Sequence, residues 1–151
     1  VEQGAVRRFS QAIMDPDPAY WREEEGKRYG GKVAPPLFPI FAFREEFDAP
    51  NALEVNANEP DYDGAAAGAI PGLPEIIQFR GFGILNGGSE IELHRFAKTG
   101  QRLKMRSRYE SITEKDTSKG VMVFIIIVTE YLNELDELLL KVRRTTIRRP
   151  V

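Results

Sequence analysis

Apolar residues near the start of the chain recur at helical spacing. Val6, Phe9 and Ile13 follow one another at intervals of three and four positions, with polar residues between them. This period predicts an amphipathic helix over residues 4–14. Pro16 is expected to end it, because proline cannot continue a helix and restricts the residue before it.

The next polar positions predict a second helix. Asp17 has the side chain of an N-cap, and Pro18 suits the first helical position because its φ angle is already helical. Gly30 and Gly31 predict the end of this helix. The stretch DPDP at residues 15–18 therefore reads as a stop signal followed by a start signal.

Residues 33–47 predict a third helix, which is opened by the stretch APPLF and runs from Pro39 onward. Its circumference is mostly apolar, and a helix that is apolar all round belongs in a protein interior. In a small protein the surrounding element is expected to be a sheet. The apolar residues are Ile40, Phe41, Ala42, Phe43 and Phe47.

Residues 48–74 are rich in Ala, Gly, Asn, Asp and Pro and have no clear period. A loop of this length in a compact domain is typical of a lid or a binding loop. We expect partial disorder in this segment.

From residue 76 the chain alternates apolar and polar positions, as strands do. Strands are predicted over 76–83, 88–96, 102–114, 121–132 and 138–149, with turns at 99–100, 115–120 and 133–136. Helices followed by an antiparallel meander indicate an α+β protein with one domain over residues 1–151. One helix held in a curved antiparallel sheet is the hot-dog fold. The unbroken apolar run at 121–128 predicts burial on both faces, so the second face or the sheet edge is expected to meet another hot-dog domain.

Composition excludes several classes of function. Lys and Arg number 21 against 23 Asp and Glu, so no basic field attracts nucleic acid or a membrane surface. The longest apolar run, 121–128, is too short to span a bilayer, and no secretion signal is evident. Cysteine is absent and His94 is the single histidine, which excludes disulfides, thiolate catalysis and His-rich metal sites. We expect a cytoplasmic protein with no metal and no cofactor.

Three segments carry a resemblance to a known family. AIMDPDPAYW, YGGKVAPPLFP and LNGGSEIELHRFAKTGQRL occur in an order that resembles the N-terminal dehydratase domain of the MaoC-like hydratases. This hot-dog group includes fatty-acid-synthase-type 3-hydroxyacyl dehydratases, and the similarity runs from about residue 5 to residue 149. The resemblance implies reversible addition of water to a 2-enoyl thioester of coenzyme A or acyl carrier protein. An oxyanion pocket of backbone N–H groups would polarise the thioester carbonyl.

The active half of that family resembles Asp-x-Asn-Pro-x-His, in which Asp and His act as acid–base partners. Asp15 and Pro18 match this pattern, Asp17 stands where Asn is usual, and Tyr20 stands where the His would be. A phenol with an ordinary pKa near 10 is a poor base at neutral pH. The resemblance therefore implies the substrate-shaping half of a pair, in a homo- or hetero-dimer with a second hot-dog domain that supplies Asp and His.

The candidate catalytic residues are thus Asp15 and Tyr20, with helix caps and core anchors as the structural alternative. His94 is predicted to lie in mid-strand beside Glu90 and Glu92, either solvated or at an interface. Gly87 and Gly88 fit a tight bend or a close backbone approach better than a phosphate loop. The candidate substrate-binding residues are Asp17, Pro36, Phe38, Gly87, Gly88 and His94.

Two other functions remain open from the sequence. One is a self-sufficient homodimeric hydratase that uses Asp15 with Tyr20 or a water in place of His. The other is a non-enzymatic module that binds acyl thioesters. A thioesterase is a weaker alternative, since the fold hosts both chemistries.

Overall fold

The computed structural model describes residues 1–43, 73–74, 76, 82–118 and 120–150. Its N-terminal region is helical in short pieces. The α-helices are α1 (Gln3–Ala12), α2 (Glu23–Gly26) and α3 (Phe38–Ala42), and 3₁₀ helices cover Pro18–Tyr20 and Lys27–Tyr29.

Helix α1 confirms the first predicted helix but ends before Pro16. Met14 adopts a left-handed φ of 55°. The N–H of Met14 donates to the Gln11 carbonyl at 3.2 Å, and the N–H of Asp15 donates to the Ser10 carbonyl at 3.0 Å. These two bonds form a Schellman motif, which satisfies the last carbonyls of a helix. The chain therefore turns away from the helix axis at Met14, two residues earlier than the proline predicted.

The predicted second helix is three short helices instead of one. Asp17 is the N-cap and Pro18 opens the first, as predicted, but the 3₁₀ turn ends at Tyr20 and α2 begins at Glu23. Gly30 ends the last piece with a left-handed φ of 77°, which confirms its predicted role. The breaks turn Tyr20 inward, where it is 4% exposed.

Helix α3 confirms a helix after the stretch APPLF, but its burial is uneven. Phe38 and Pro39 are buried, whereas Phe41 is 51% exposed within this chain. The prediction of a helix buried on all sides is therefore wrong for Phe41. The remainder of the predicted helix, including Phe47, lies outside the described residues.

Among the described residues, four strands form one antiparallel sheet: β1 (Gly83–Leu93), β2 (Leu103–Thr117), β3 (Gly120–Asn133) and β4 (Leu138–Arg149). The order across the sheet is β1-β4-β3-β2. Strands β2, β3 and β4 form the predicted meander, but β1 pairs with β4 instead of the next strand along the chain. The connection from β1 to β2 therefore passes the other two strands, which a simple meander does not do.

Strand β3 is only partly buried on both faces. Val123, Ile125 and Ile127 are buried, and the alternate residues from 122 to 126 are half-buried. Continuous burial is limited to residues 127–129 and 131–133. Within this chain alone, the apolar run at 121–128 is therefore not buried on both faces along its whole length.

Two predicted segments fall largely outside the described residues. Of the predicted loop at 48–74, only residues 73 and 74 are described. Of the predicted strand at 76–83, only residues 76, 82 and 83 are described, and β1 begins at Gly83.

The chain divides into two compact units, each with its own core. The first draws on Val1–Arg44, Ile91–Arg106 and Glu130–Lys141, and the second on Glu45–Glu90, Ser107–Thr129 and Val142–Val151. The prediction of a single domain stays a prediction. The first core contains Val6, Ala19, Tyr20, Val33, Ala34, Phe38, Ala97 and Leu139. The second contains Val123, Ile125 and Ile127, packed against Leu73, Ile76 and Tyr109.

None of the helices in the described part of the chain is long and apolar enough to cross a membrane.

Candidate functional site

The candidate site is the connection between α1 and the 3₁₀ helix Pro18–Tyr20. The Schellman turn holds the backbone of Asp15, whose carboxylate lies half-buried at the end of α1. The N–H of Asp17 donates to Oδ1 of Asp15 at 3.2 Å, which closes a local turn around the carboxylate. The DPDP stretch therefore fixes a carboxylate as well as marking a helix boundary.

Tyr20 completes the site from the other side. Its hydroxyl donates a hydrogen bond of 2.6 Å to Oδ2 of Asp15. Its backbone is held at both ends, because its N–H donates to the Asp17 carbonyl at 3.2 Å and its carbonyl accepts from Nε2 of Gln3 at 2.8 Å. The ring belongs to the first core, so the phenol is positioned by packing as well as by hydrogen bonding.

The electrostatics of this contact keep the phenol neutral. Burial raises the pKa of Tyr20 above its ordinary value, and the hydrogen bond to Asp15 raises it further. Both effects disfavour a phenolate, which would be poorly hydrated and adjacent to a carboxylate. Tyr20 therefore holds its proton at neutral pH and acts as a hydrogen-bond donor to Asp15.

Asp17 has a structural contact for each carboxylate oxygen. Oδ1 accepts from the N–H of Ala19 at 2.9 Å, which is the N-cap bond. Oδ2 lies 3.5 Å from the guanidinium of Arg28. Asp17 thus orients the 3₁₀ turn that carries Tyr20.

The arrangement pairs a carboxylate with a neutral hydrogen-bond donor. A hydratase needs a group that removes a proton from water near neutral pH, which imidazole does well. Here the residue that faces Asp15 is a neutral phenol, and both oxygens of Asp15 accept hydrogen bonds from the chain itself.

A pocket of about 680 Å³ opens next to Asp15. Residues of α1, the Met14–Pro16 turn and two later side chains line it, namely Gln3, Arg7, Gln11, Met14, Asp15, Trp21 and Lys32 among others. The sequence pattern does not predict this pocket, because polar positions on an amphipathic helix ordinarily face solvent. The available signal was the position of Arg7 and Gln11, four residues apart on the face that leads toward the DPDP stretch.

Pro36 lies in the loop that precedes α3, and Phe38 is the first residue of that helix. Pro36 is half-buried, and Phe38 is buried with its ring edge-on to Phe9 at 5.7 Å between centroids. The N–H groups of Phe38 and Ile40 donate to the carbonyls of Pro35 and Leu37, at 2.9 and 3.1 Å. These two amides are engaged within the chain. The substrate role of Pro36 and Phe38 stays a prediction.

Gly87 and Gly88 lie in β1 and have distinct backbone roles. A Cβ atom at Gly87 would lie 2.7 Å from Cγ2 of Thr145 on β4, so this position permits a close approach of two strands. Gly88 has a φ of 104°, a region that side chains disfavour, and its N–H donates to Oδ1 of Asn86 at 2.9 Å. Both observations give a structural reason for glycine, and a substrate contact stays a prediction.

His94 does not lie in mid-strand, because β1 ends at Leu93. Its N–H donates to the carbonyl of Leu139 at 2.9 Å, and its Nε2 lies 3.4 Å from a carboxylate oxygen of Glu92. Within the described part of the chain, no hydrogen bond or ion pair joins His94 to the Asp15–Tyr20 pair. Its role as a substrate contact stays a prediction.

The described residues contain no group of acidic or histidine side chains that could hold a metal ion.

Known structures share this fold. The ChsH1–ChsH2 complex of Mycobacterium tuberculosis matches with a TM-score of 0.71 and 19% identity, over 100% of this chain and 80% of that one. A MaoC-like dehydratase of Rhodospirillum rubrum matches with a TM-score of 0.64 and 19% identity, over 100% and 87%. The C-terminally truncated HadBC (3R-hydroxyacyl-ACP dehydratase) complex of M. tuberculosis matches with a TM-score of 0.58 and 18% identity, over 97% and 87%. The hot-dog fold predicted from the sequence is thereby confirmed.

No curated protein is significantly similar to the sequence. The family model described as "FAS1-like, dehydratase domain region" matches residues 1–142, which is nearly the whole chain and includes the DPDP stretch. The chain belongs to the FAS1-like dehydratase domain region family.

Proposed function

We propose that this chain is the substrate-shaping hot-dog subunit of an enoyl-thioester hydratase or 3-hydroxyacyl dehydratase. Its substrate would be an acyl thioester of coenzyme A or acyl carrier protein. The catalytic Asp and His would come from a second hot-dog domain. The family supports a dehydratase or hydratase activity in general. The thioester substrate and the assignment of the catalytic residues to a partner are our proposal.

One observation supports the assignment of the catalytic residues to a second hot-dog domain. The residue in the position of the family's histidine is Tyr20, and its hydroxyl donates to Asp15 at 2.6 Å. Burial and this bond raise the pKa of Tyr20, so the phenol stays protonated near pH 7 and does not act as a base. A site in which the carboxylate faces a buried, neutral donor instead of a base is suited to forming part of the substrate-binding surface and not to catalysis.

Two of the similar structures support assembly with a second hot-dog domain. The ChsH1–ChsH2 and HadBC structures are complexes of two different proteins. The half-buried face of β3 in this chain is compatible with such a contact, since residues 122, 124 and 126 retain exposed apolar surface.

Reconstitution tests this proposal. The chain is mixed with each hot-dog protein of the same organism that retains an Asp-x-Asn-Pro-x-His motif, and hydration of a 2-enoyl thioester is followed. One mixture is expected to exceed the activity of either protein alone by at least about tenfold. Replacing the histidine of that partner is expected to abolish the activity, whereas Tyr20→Phe in this chain is expected to preserve most of it. Failure of every mixture would contradict the proposal.

A second candidate is a homodimeric hydratase that uses Asp15. It is favoured by one observation, which is that Asp15 lines the 680 Å³ pocket. Asp15→Asn would then abolish turnover by the chain alone. If the chain alone gives no turnover to abolish, this candidate is excluded.

A further inference from the structure

Asn86 in β1 is the only asparagine in the chain that is followed by a glycine. Asparagine is a thermolabile residue, because the backbone nitrogen of the next residue attacks its side-chain amide carbon and forms a cyclic succinimide. A glycine in the next position leaves that nitrogen unhindered, since glycine has no Cβ atom. The sequence therefore distinguishes Asn86 from the other asparagines of the chain.

Solvent reaches this part of β1. Asn86, Gly87 and Gly88 are all exposed, and β1 lies at one edge of the sheet that the described residues form. Succinimide formation needs solvent because the amide nitrogen of Gly87 must lose its proton before it attacks. Water is needed again to hydrolyse the ring. The position of the Asn–Gly pair therefore satisfies both steps.

The side chain of Asn86 is folded back onto the backbone that follows it. Its Oδ1 accepts a hydrogen bond of 2.9 Å from the N–H of Gly88. The ring closed by this bond contains both Cγ of Asn86 and the amide nitrogen of Gly87, so the two atoms that would join belong to one compact turn. Gly88 has a φ of 104° in this turn, a conformation that side chains disfavour. The two glycines thus permit an arrangement that other residues would resist.

The same hydrogen bond activates the side-chain amide. Attack on Cγ of Asn86 gives its Oδ1 a negative charge, and a backbone N–H that already donates to this oxygen stabilises the charge as it develops. Among the described residues, the side-chain NH₂ group of Asn86 has no hydrogen-bond acceptor. This group is the one that leaves, so no contact within the described chain restrains it.

Asn133 provides a comparison within the described residues. Its Oδ1 also accepts from the N–H two positions along the chain, that of Leu135, at 3.0 Å. However, Asn133 is 1% exposed, it precedes Glu134 and not a glycine, and its Nδ2 donates to Oε2 of Glu137 at 2.7 Å. Asn133 therefore has a similar turn but lacks the solvent access, the unhindered nitrogen and the unrestrained leaving group.

We infer that Asn86 is a site of spontaneous deamidation in the folded protein. The amide nitrogen of Gly87 loses its proton and attacks Cγ of Asn86, so that a new N–C bond forms. The bond from Cγ to the side-chain nitrogen breaks, and this nitrogen takes up a proton and leaves as ammonia. Water then opens the succinimide at either carbonyl, which gives aspartate or isoaspartate. The net reaction consumes one water and releases one ammonia, and it is independent of the proposed function.

The isoaspartate product alters the pairing of β1 with β4. It adds one methylene to the main chain just before Gly87, where a Cβ atom would lie 2.7 Å from Cγ2 of Thr145. Strands that approach this closely cannot take up an extra main-chain atom without a shift in their pairing. The aspartate product adds a negative charge but keeps the main chain unchanged. Loosening of the edge strand is therefore specific to isoaspartate.

The stability of the product forms tests this consequence. The isoaspartyl form is separated from the unmodified protein by ion exchange, and its urea denaturation is compared with that of the wild type. We expect a lower denaturation midpoint for the isoaspartyl form. Asn86→Asp is the matched control, because it has the charge without the extra methylene, and it is expected to unfold at the wild-type midpoint. Equal midpoints for the isoaspartyl form and the wild type would contradict the loosening of β1.

The site itself is tested by incubating the folded protein at neutral pH and physiological temperature. Peptide mapping by mass spectrometry then gives the rate of deamidation at each asparagine. We expect Asn86 to deamidate at least about tenfold faster than Asn133, which corresponds to the worth of about one hydrogen bond in the barrier. Equal rates, or no deamidation of Asn86 in the folded protein, would overturn the inference.

A second incubation in urea separates the effect of the fold from that of the Asn–Gly sequence. Unfolding removes the hydrogen bond from Gly88 to Oδ1 of Asn86 and leaves the sequence unchanged. We expect Asn86 to deamidate at least as fast in the folded protein as in urea, because the bond that stabilises the oxyanion is held in place only by the fold. A slower rate in the folded protein would show that the turn protects Asn86 and would overturn the inference.

Discussion

The Tyr20 hydroxyl donates a hydrogen bond of 2.6 Å to Oδ2 of Asp15. This contact joins the end of α1 to the core, because Asp15 follows the Schellman turn and Tyr20 is 4% exposed. The six residues from Asp15 to Tyr20 thus form a closed unit in which a carboxylate faces a neutral phenol. Its properties give the following predictions.

Removing the hydroxyl is expected to weaken the fold. Tyr20→Phe keeps the ring in the core but leaves Oδ2 of Asp15 without its donor, so the free energy of unfolding should fall by about 1–2 kcal/mol. Urea denaturation measures this. Tyr29→Phe is the control: Tyr29 contacts Phe96 through its ring, and no hydrogen bond of its hydroxyl is present among the described residues. Equal stability of the wild type and Tyr20→Phe would contradict the account.

Stability is expected to decline at alkaline pH through the same residue. The pKa of Tyr20 is raised in the folded state, whereas an unfolded tyrosine titrates near pH 10. The folded state therefore retains a proton that the unfolded state loses. The stabilising contribution is fully present below about pH 10 and is lost as the pH rises above that value.

The measurement is the difference in unfolding free energy between the wild type and Tyr20→Phe, taken from about pH 8 to about pH 11. Subtracting the variant removes the contribution of the other titrating groups. We expect the difference to shrink as the pH rises. A difference that stays constant across this range would show that Tyr20 titrates normally.

Asp17 is expected to stabilise the 3₁₀ helix Pro18–Tyr20 by capping its N-terminus, and its negative charge is not expected to be needed for stability. Asp17→Ala removes the bond to the N–H of Ala19 and should cost about 1 kcal/mol. Asp17→Asn keeps an acceptor at the same place and should stay within about 0.3 kcal/mol of the wild type, because the Arg28 side chain of the ion pair is largely exposed and lies 3.5 Å from Asp17. Thermal unfolding of both variants measures their stability. A loss of stability in Asp17→Asn as large as in Asp17→Ala would contradict a capping role.

Met14 offers a stabilising substitution. A left-handed φ of 55° disfavours methionine, and glycine is the usual residue at this position of a Schellman motif. Met14→Gly is expected to raise the free energy of unfolding by about 0.5–1 kcal/mol. Met14→Ala, which shortens the same exposed side chain without changing the backbone preference, should give no such gain. If both variants behave alike, the turn is not strained by its side chain.

Much of this architecture could be predicted from local pattern. Asp17 and Pro18 opened a helical turn and Gly30 ended the last helical piece, because capping depends on residues that are adjacent in sequence. The bounds of β3 and β4 likewise followed from alternation and turns to within one residue, whereas β2 extends to Thr117, three residues into the predicted turn. The frame of the site could also be predicted, since its two members are five residues apart.

What the sequence could not supply depends on distant contacts. The pairing of β1 with β4 is set by which strand edge is left free, and alternation contains no information on this. Alternation predicts His94 inside a strand because the pattern continues past Leu93, although the strand ends there and the N–H of His94 donates to the carbonyl of Leu139. The pocket was missed for a similar reason, since Lys32 reaches the face of α1 only through the fold.

The most direct test of the central claim is hydration of a 2-enoyl thioester by the purified chain with no partner present. The account predicts no turnover above the uncatalysed rate, because Tyr20 keeps its proton and Asp15 is already engaged by two donors. Robust turnover that is abolished by Asp15→Asn would contradict it and would make this chain a catalyst in its own right.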